Sequence, residues 1–184
     1  MLPDGVPPWP WQAFFDELDR YLIKPVQLHC CGGFAVIHAY GVARTTNDRD
    51  SVSLVPHPML NQVVELAGKG SDLQKLHRVY LDPVTVATIP DSYVERLIPL
   101  FPGVWQKLEL FSLEAHDLAL SKLERNFDRD RDDVQRLARA GYLKPGILKE
   151  RYLKELRPNL LSRHLWHDQT LNLWIESYWP DYVS

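Results

Sequence analysis

Cysteine is nearly absent from this chain of 184 residues: the only two, Cys30 and Cys31, are neighbours. Adjacent thiols seldom bridge, so a disulfide framework is excluded as a source of stability, and a reducing cytoplasm is the expected home. Long apolar runs are missing too, so no membrane span is expected. The first residues, Met1-Leu2-Pro3-Asp4-Gly5-Val6-Pro7-Pro8, have neither a basic start nor an apolar stretch, which speaks against a signal peptide. Positive charge is not in excess. Lys and Arg total 21 against 24 for Asp and Glu, a formal charge of −3, so any hold on a polyanion must come from a local basic patch or a bound cation. The seven histidines lack zinc-ligand spacing. His164 and His167 stand at helical i, i+3 with no further ligand nearby and read as solvated helix histidines. The six tryptophans do not interleave with basic residues, so a base-stacking platform has no support. No internal repeat or low-complexity tract is present.

What remains is the composition of a globular protein with one core, 45% hydrophobic and 24% charged. Trp11 to Ile23 sets apolar residues at helical spacing against Asp16, Glu17 and Asp19, an amphipathic helix. Val26 to Cys31 alternates as a strand, Gly32-Gly33 ends it, and Phe34 to Tyr40 follows as a short buried helix stopped by Gly41. Asp50 to Val55 alternates as a second strand. Pro58 to Gly68 and Ser71 to Leu76 read as helices, with Ser71 a potential N-cap, and Val79 to Ile89 as a third strand. Asp91 to Ile98 reads as a short helix and Val104 to Leu113 as a fourth strand. Helices then run to the end: Glu114–Asn126, Asp130–Ala140, Pro145–Leu156 and Leu160–Trp179. The expected fold is α+β: a small mixed sheet flanked by helices over residues 1–112, then a helical subdomain over 113–184.

One segment carries chemistry. Asp48 and Asp50 lie two apart at the start of the second strand, so both carboxylates share a face while Arg49 takes the other. Two carboxylates held together call for a cation, and Mg²⁺, which takes oxygen ligands and substrate phosphates, is the natural one. Gly32-Gly33 stands between a strand and a helix, where bare backbone N–H groups can face a phosphate. Arg44, Thr45 and Thr46 come between the turn and the carboxylates. Each feature alone is common in turns and acidic loops; their convergence in one strand–helix–strand unit is what singles them out.

The run Cys31-Gly32-Gly33-Phe34-Ala35, then Tyr40-Gly41, then Arg44-x-Thr46-x-Asp48-x-Asp50, resembles the signature of minimal nucleotidyltransferases of the DNA polymerase β-like superfamily. A second stretch, Asp117 to Leu123 followed by Arg129-Asp130-Arg131-Asp132-Asp133-Val134, is similar to a motif of the AbiEii-like and MenT-like members, the toxin halves of bacterial toxin–antitoxin pairs. The resemblance implies transfer of a nucleoside monophosphate from a nucleoside triphosphate to an acceptor hydroxyl, on a tRNA 3′ end or a protein. It implies Mg²⁺ on Asp48 and Asp50, and phosphates held by Gly32, Gly33, Arg44, Thr46 and Lys122. Arg129, Asp130 and Asp133 would belong to the nucleotide-binding site, with Asp130 or Asp133 holding it together or assisting the chemistry, and a cognate antitoxin would be the partner. Read without the resemblance, the charge-dense run from Glu124 to Asp133 is a solvated, salt-bridged helix face. The resemblance further implies a third carboxylate on a later strand, serving as general base and metal ligand: Asp82, with Glu109 as the alternative. Without a firm third carboxylate, a non-catalytic binding or regulatory protein on the same fold stays open.

Overall fold

Trp11, Phe14, Phe15 and Leu18 line one side of helix α1 (Trp11–Tyr21) and are all buried. This is the first element of the computed structural model, which describes residues 5–42, 51–56, 60–84 and 88–183. Burying each such side chain contributes about 1.5–3 kcal/mol. The rings form an edge-to-face cluster in which Trp11 meets Phe34 of helix α2 (Gly33–Tyr40) at 5.2 Å and Phe15 meets Trp105 at 5.4 Å. Gly41 ends α2 in the left-handed conformation (φ 63°), as the sequence leads one to expect.

The chain divides into two compact units, Met1–Ala87 with Leu97–Leu113, and Thr88–Arg96 with Glu114–Ser184. The first unit holds a five-stranded mixed sheet in the order β3-β2-β1-β5-β4. Its strands are β1 (Val26–Cys30), β2 (Ser51–Leu54), β3 (Tyr80–Pro83), β4 (Ile98–Leu100) and β5 (Leu108–Ser112). β1 runs parallel to β5 and β2 parallel to β3, while β1–β2 and β4–β5 are antiparallel. One face carries the core side chains Leu28, Cys30, Val52, Leu54, Leu81, Leu108 and Leu110. Helices α1, α2 and α3 (Leu60–Ala67) pack on β5, β2 and β3 respectively. Strand registers place Gln27, His29, Ser51, Ser53, Tyr80, Asp82, Glu109 and Phe111 together on the other face, exposed or half-buried. Helix α4 (Asp72–His77) starts where Ser71 accepts the Gln74 N–H at 3.1 Å, the expected N-cap.

The second unit is helical: α5 (Ala115–Leu120), α6 (Asp128–Arg139), α7 (Pro145–Arg151), α8 (His164–Tyr178) and α9 (Pro180–Val183). It also takes in Thr88–Arg96, which includes a 3₁₀ stretch from Asp91 to Arg96. No helix among the described residues is long and apolar enough to cross a membrane.

Several element boundaries differ from expectation for physical reasons. The helix expected over Asp91–Ile98 stops at Arg96, and Ile98 opens strand β4. Pro99 disfavours a helical residue before it and, lacking an N–H, suits a strand paired on one side only. The strand expected from Val104 begins at Leu108, because Asp19 of α1 claims the preceding backbone. Its carboxylate accepts N–H bonds from Lys107 (2.7 Å), Leu108 (2.8 Å) and Gln106 (3.3 Å), while Asp16 accepts the Trp105 indole N–H at 2.9 Å. The polar side of α1 is therefore partly internal rather than purely solvated. The helix expected to reach Asn126 ends at Leu120, and Asn126 is left-handed (φ 46°). Pro145–Leu156 changes from α to π winding at Tyr152, two turns before Pro158 removes a donor. The last long helix begins at His164 rather than Leu160, behind left-handed Arg163 (φ 60°).

Asp19→Ala removes a charged acceptor from two short N–H bonds, and should lower unfolding free energy by about 1.5–3 kcal/mol. Urea unfolding measures this. Asp19→Asn, which keeps one acceptor oxygen, should lose less, and an unchanged midpoint for the alanine variant contradicts the anchoring role.

Candidate active site

Gly32 closes β1 and caps α2, with φ 157° and ψ −154°, a region that side-chain-bearing residues rarely enter. A Cβ there would stand 2.9 Å from Ser53 Oγ and 3.0 Å from Ser53 Cβ. The approach is held by the Cys31 N–H, which donates to the Ser53 carbonyl at 2.8 Å. The Val36 N–H bonds back to Gly32 O at 3.0 Å, while the N–H groups of the helix's opening residues have no acceptor within the helix.

Across the parallel ladder Ser53 is paired with Asp82, and Ser51 with Tyr80. The glycine turn, Ser53 and Asp82 thus stand side by side on three neighbouring chain segments, about 5 Å apart from one strand to the next. Neither the Ser53 hydroxyl nor the Asp82 carboxylate has a hydrogen-bond or ion-pair partner among the described residues. Glu109 lies on the same face but on β5, and accepts the Gln27 side-chain N–H at 2.8 Å. Of the two carboxylates weighed from the sequence, Asp82 is therefore the one adjacent to β2 and without a partner among the described residues. The sequence alone did not single out Ser53; its signal is a hydroxyl at even spacing from Ser51 on a strand otherwise built from Val52 and Leu54.

Asp48 and Asp50, with Arg44, Thr45 and Thr46, lie outside the described residues; in sequence they lead directly into β2. Among the described residues no three His, Cys, Asp or Glu side chains are grouped so as to hold a metal. The two cysteines are unbridged and buried. Burial, and then the neighbouring Cys31, push the Cys30 thiol up, so it stays protonated and inert.

In the helical unit the second motif folds onto itself. Lys122 exposes only 4% of its surface. Its ammonium donates to Asp133 Oδ2 at 2.9 Å and lies 3.7 Å from Asp130 Oδ1. Asp130 also accepts two bonds from the Arg125 guanidinium, at 2.7 and 2.5 Å, and the Phe127 N–H at 3.1 Å. Burial would raise the Asp130 carboxyl, but the Arg125 hydrogen bonds, the Lys122 and Arg125 charges and the Phe127 N–H hold it below its ordinary range. The reading of this stretch as a solvated face is corrected for these residues. Asp130 and Asp133 fall on the same inward stripe of α6 as Val134 and Leu137, all buried. Lys122 is thus engaged inside the helical unit rather than held out to solvent. Arg129 is half-buried on α6.

Another cluster was not legible in the sequence. Asp117, fully buried, accepts a forked pair of bonds from Arg96 (2.8 and 3.2 Å) and a third from Arg151 (3.0 Å). Arg96 continues to Glu155 at 2.7 Å, and Arg151 to Glu114. His116 Nε2 accepts the Lys144 N–H at 2.9 Å, so Nδ1 carries the proton and donates to Glu114 at 2.8 Å. Burial acts to raise the Glu114 carboxyl, but the His116 hydrogen bond, with the Arg151 charge and hydrogen bond, brings it down to about 2. The partners of Asp117 are 21 and 34 residues away, so no local spacing announces the cluster. His167 is likewise buried rather than solvated, with Nδ1 2.8 Å from Arg163 O and Nε2 2.5 Å from Glu124.

A model of one protein family, described as a nucleotidyltransferase of unknown function (DUF6036), matches residues 14–181. No curated protein and no solved structure matches the chain.

Lys122→Met leaves Asp130 and Asp133 buried with one cation fewer, and should cost about 3–5 kcal/mol of stability, as breaking a buried pair does. Chemical unfolding reads the loss; a variant as stable as the parent contradicts the internal role. Glu114, lowered in the folded state from 4.5 to about 2, contributes stability that is complete above its unfolded value and is lost as pH falls through the folded one. The melting temperature should therefore drop between about pH 5 and pH 2, and Glu114→Gln should flatten that drop.

Proposed function

The chain belongs to this nucleotidyltransferase family, and we propose that it moves a nucleoside monophosphate from a nucleoside triphosphate to an acceptor hydroxyl. The observation that carries the reading is the row formed by the Gly32 turn, Ser53 and Asp82 on one face of the sheet, reached in sequence directly from Asp48-x-Asp50.

The donor set fits Mg²⁺. Asp82 presents a hard oxygen donor with no cation of its own among the described residues, and Asp48 and Asp50 would complete a carboxylate set of the kind that ion takes. When bound, the ion would supply neutralisation of charge building at the α-phosphate. The chain's own groups do the rest. Backbone N–H groups at Gly33 and Phe34, at the start of α2, would take the β- and γ-phosphates, aided by Arg44 and Thr46. The resemblance also assigns Lys122 a phosphate contact. Asp82 would receive the proton of the acceptor hydroxyl as that oxygen bonds to the α-phosphorus. The bond from the α-phosphorus to the bridging oxygen breaks at the same time, and pyrophosphate leaves. Catalysis on these terms is positioning and electrostatics.

The acceptor in this proposal is an RNA 3′ end or a protein hydroxyl, and the chain is the toxin half of a toxin–antitoxin pair in the cytoplasm. That assignment is supported by the resemblance of the Lys122 and Arg129-Asp130-x-x-Asp133 stretch to such toxins, in the expected order after the glycine turn.

Incubating the protein with each labelled triphosphate, Mg²⁺, whole-cell RNA and protein should label one class of acceptor. Asp48→Ala with Asp50→Ala should abolish labelling with the melting curve unchanged, and Asp82→Asn should slow it about 10²–10⁴-fold, the usual worth of a general base. Labelling that survives the double alanine variant removes the carboxylate assignment; release of inorganic phosphate without a labelled acceptor makes the protein a hydrolase.

A further inference from the structure

We propose that Ser53 is a positioning residue for the polyphosphate tail of the nucleotide, its hydroxyl completing the phosphate cradle that the Gly32-Gly33 backbone begins. The inference rests on the nucleotide site proposed above and adds a side chain to it.

Four observations meet at this residue. Ser53 Oγ and Cβ fill the space directly against Gly32, at 2.9 and 3.0 Å from where a Cβ would be. The hydroxyl is therefore fixed at the edge of the turn whose N–H groups open α2. The Cys31 N–H to Ser53 O bond (2.8 Å) and the Cys30–Leu54 pairing lock the strand beside the turn, so the side chain cannot drift from it. On its other side Ser53 is the ladder partner of Asp82. A half-buried strand position beside Val52 and Leu54 is one that a β-branched apolar residue would fill well. Serine is there instead, with no described group using its hydroxyl.

Chemically, a hydroxyl between backbone donors and a carboxylate suits a phosphate oxygen. It donates to the oxyanion, adds no charge, and leaves the neighbouring carboxylate available. Ser51, two residues earlier on the same face, is paired with Tyr80 rather than Asp82 and is not among the atoms within 4 Å of a Cβ placed at Gly32, which makes it the control.

The test uses the full-length protein and inorganic tripolyphosphate with Mg²⁺ as the probe, titrated calorimetrically into the parent, Ser53→Ala and Ser51→Ala. The account expects the parent to bind it, Ser53→Ala to bind about tenfold more weakly, as for one lost hydrogen bond to a charged group, and Ser51→Ala to match the parent. In the transfer assay Ser53→Ala should raise KM for the triphosphate by a similar factor with kcat nearly unchanged, and inhibition by the bare nucleoside should not move. Equal weakening toward nucleoside and tripolyphosphate marks a merely structural serine and overturns the inference. So does a parent that does not bind tripolyphosphate, or a Ser53→Ala protein that binds it as the parent does. A parent that binds tripolyphosphate through Ser53 yet labels no acceptor would instead remove the transferase reading and leave the phosphate contact standing.

Discussion

The sheet of the first unit depends on how closely β2 can approach the end of β1. Among the described residues one pair, Cys30 with Leu54, joins them in register. Two flanking backbone bonds extend the contact, from Cys31 N–H to Ser53 O (2.8 Å) and from Val55 N–H to His29 O (2.9 Å). A junction this short leaves no slack. The missing side chain at Gly32 is what lets Ser53 come within contact of the turn, and with Ser53 comes the parallel neighbour β3 and its Asp82. Any residue but glycine would strain the backbone there and press its Cβ against the Ser53 side chain. The same glycine thus serves the fold and the proposed site.

The two units handle polar groups in opposite ways. On the second face of the sheet, Ser53 and Asp82 are accessible and have no partner among the described residues, which suits groups meant for a ligand. In the helical unit the charges are internal and matched. Lys122 is set between Asp130 and Asp133, and Asp117 between Arg96 and Arg151, each carboxylate fully or nearly fully buried. Buried pairs of this sort add little net stability over apolar packing, but they are costly to break, and so they fix one arrangement of the helices around them. Arg96 and Glu155 tie the 3₁₀ stretch before β4 to the segment after α7, so a piece of chain from the middle of the sequence belongs to the helical unit.

Elements specified by local chemistry could be read from the sequence. The apolar stripe of α1, the Gly41 stop of α2 and the Ser71 cap of α4 each depend on residues within a turn or two. The α+β class and the mixed sheet followed from the same signals. What could not be read depends on distant partners. Strand β5 starts at Leu108 because Asp19, 88 residues earlier than Lys107, takes the preceding N–H groups. Asp130 and Asp133 look like surface charges until their coincidence with the Val134 and Leu137 stripe is noticed. Asp117 has no local signal at all. At the candidate site the glycine pair and Asp82 were visible as residue types, whereas Ser53 became significant only when register set it against Gly32.

The central claim is that this face of the sheet takes a nucleoside triphosphate together with Mg²⁺. Calorimetric titration of the protein with each of the four ribonucleoside triphosphates, in the presence of Mg²⁺ and again with the metal chelated, tests it directly. The account predicts saturable binding of at least one triphosphate that is lost or strongly weakened on chelation. No binding of any triphosphate, or binding indifferent to the metal, would contradict it.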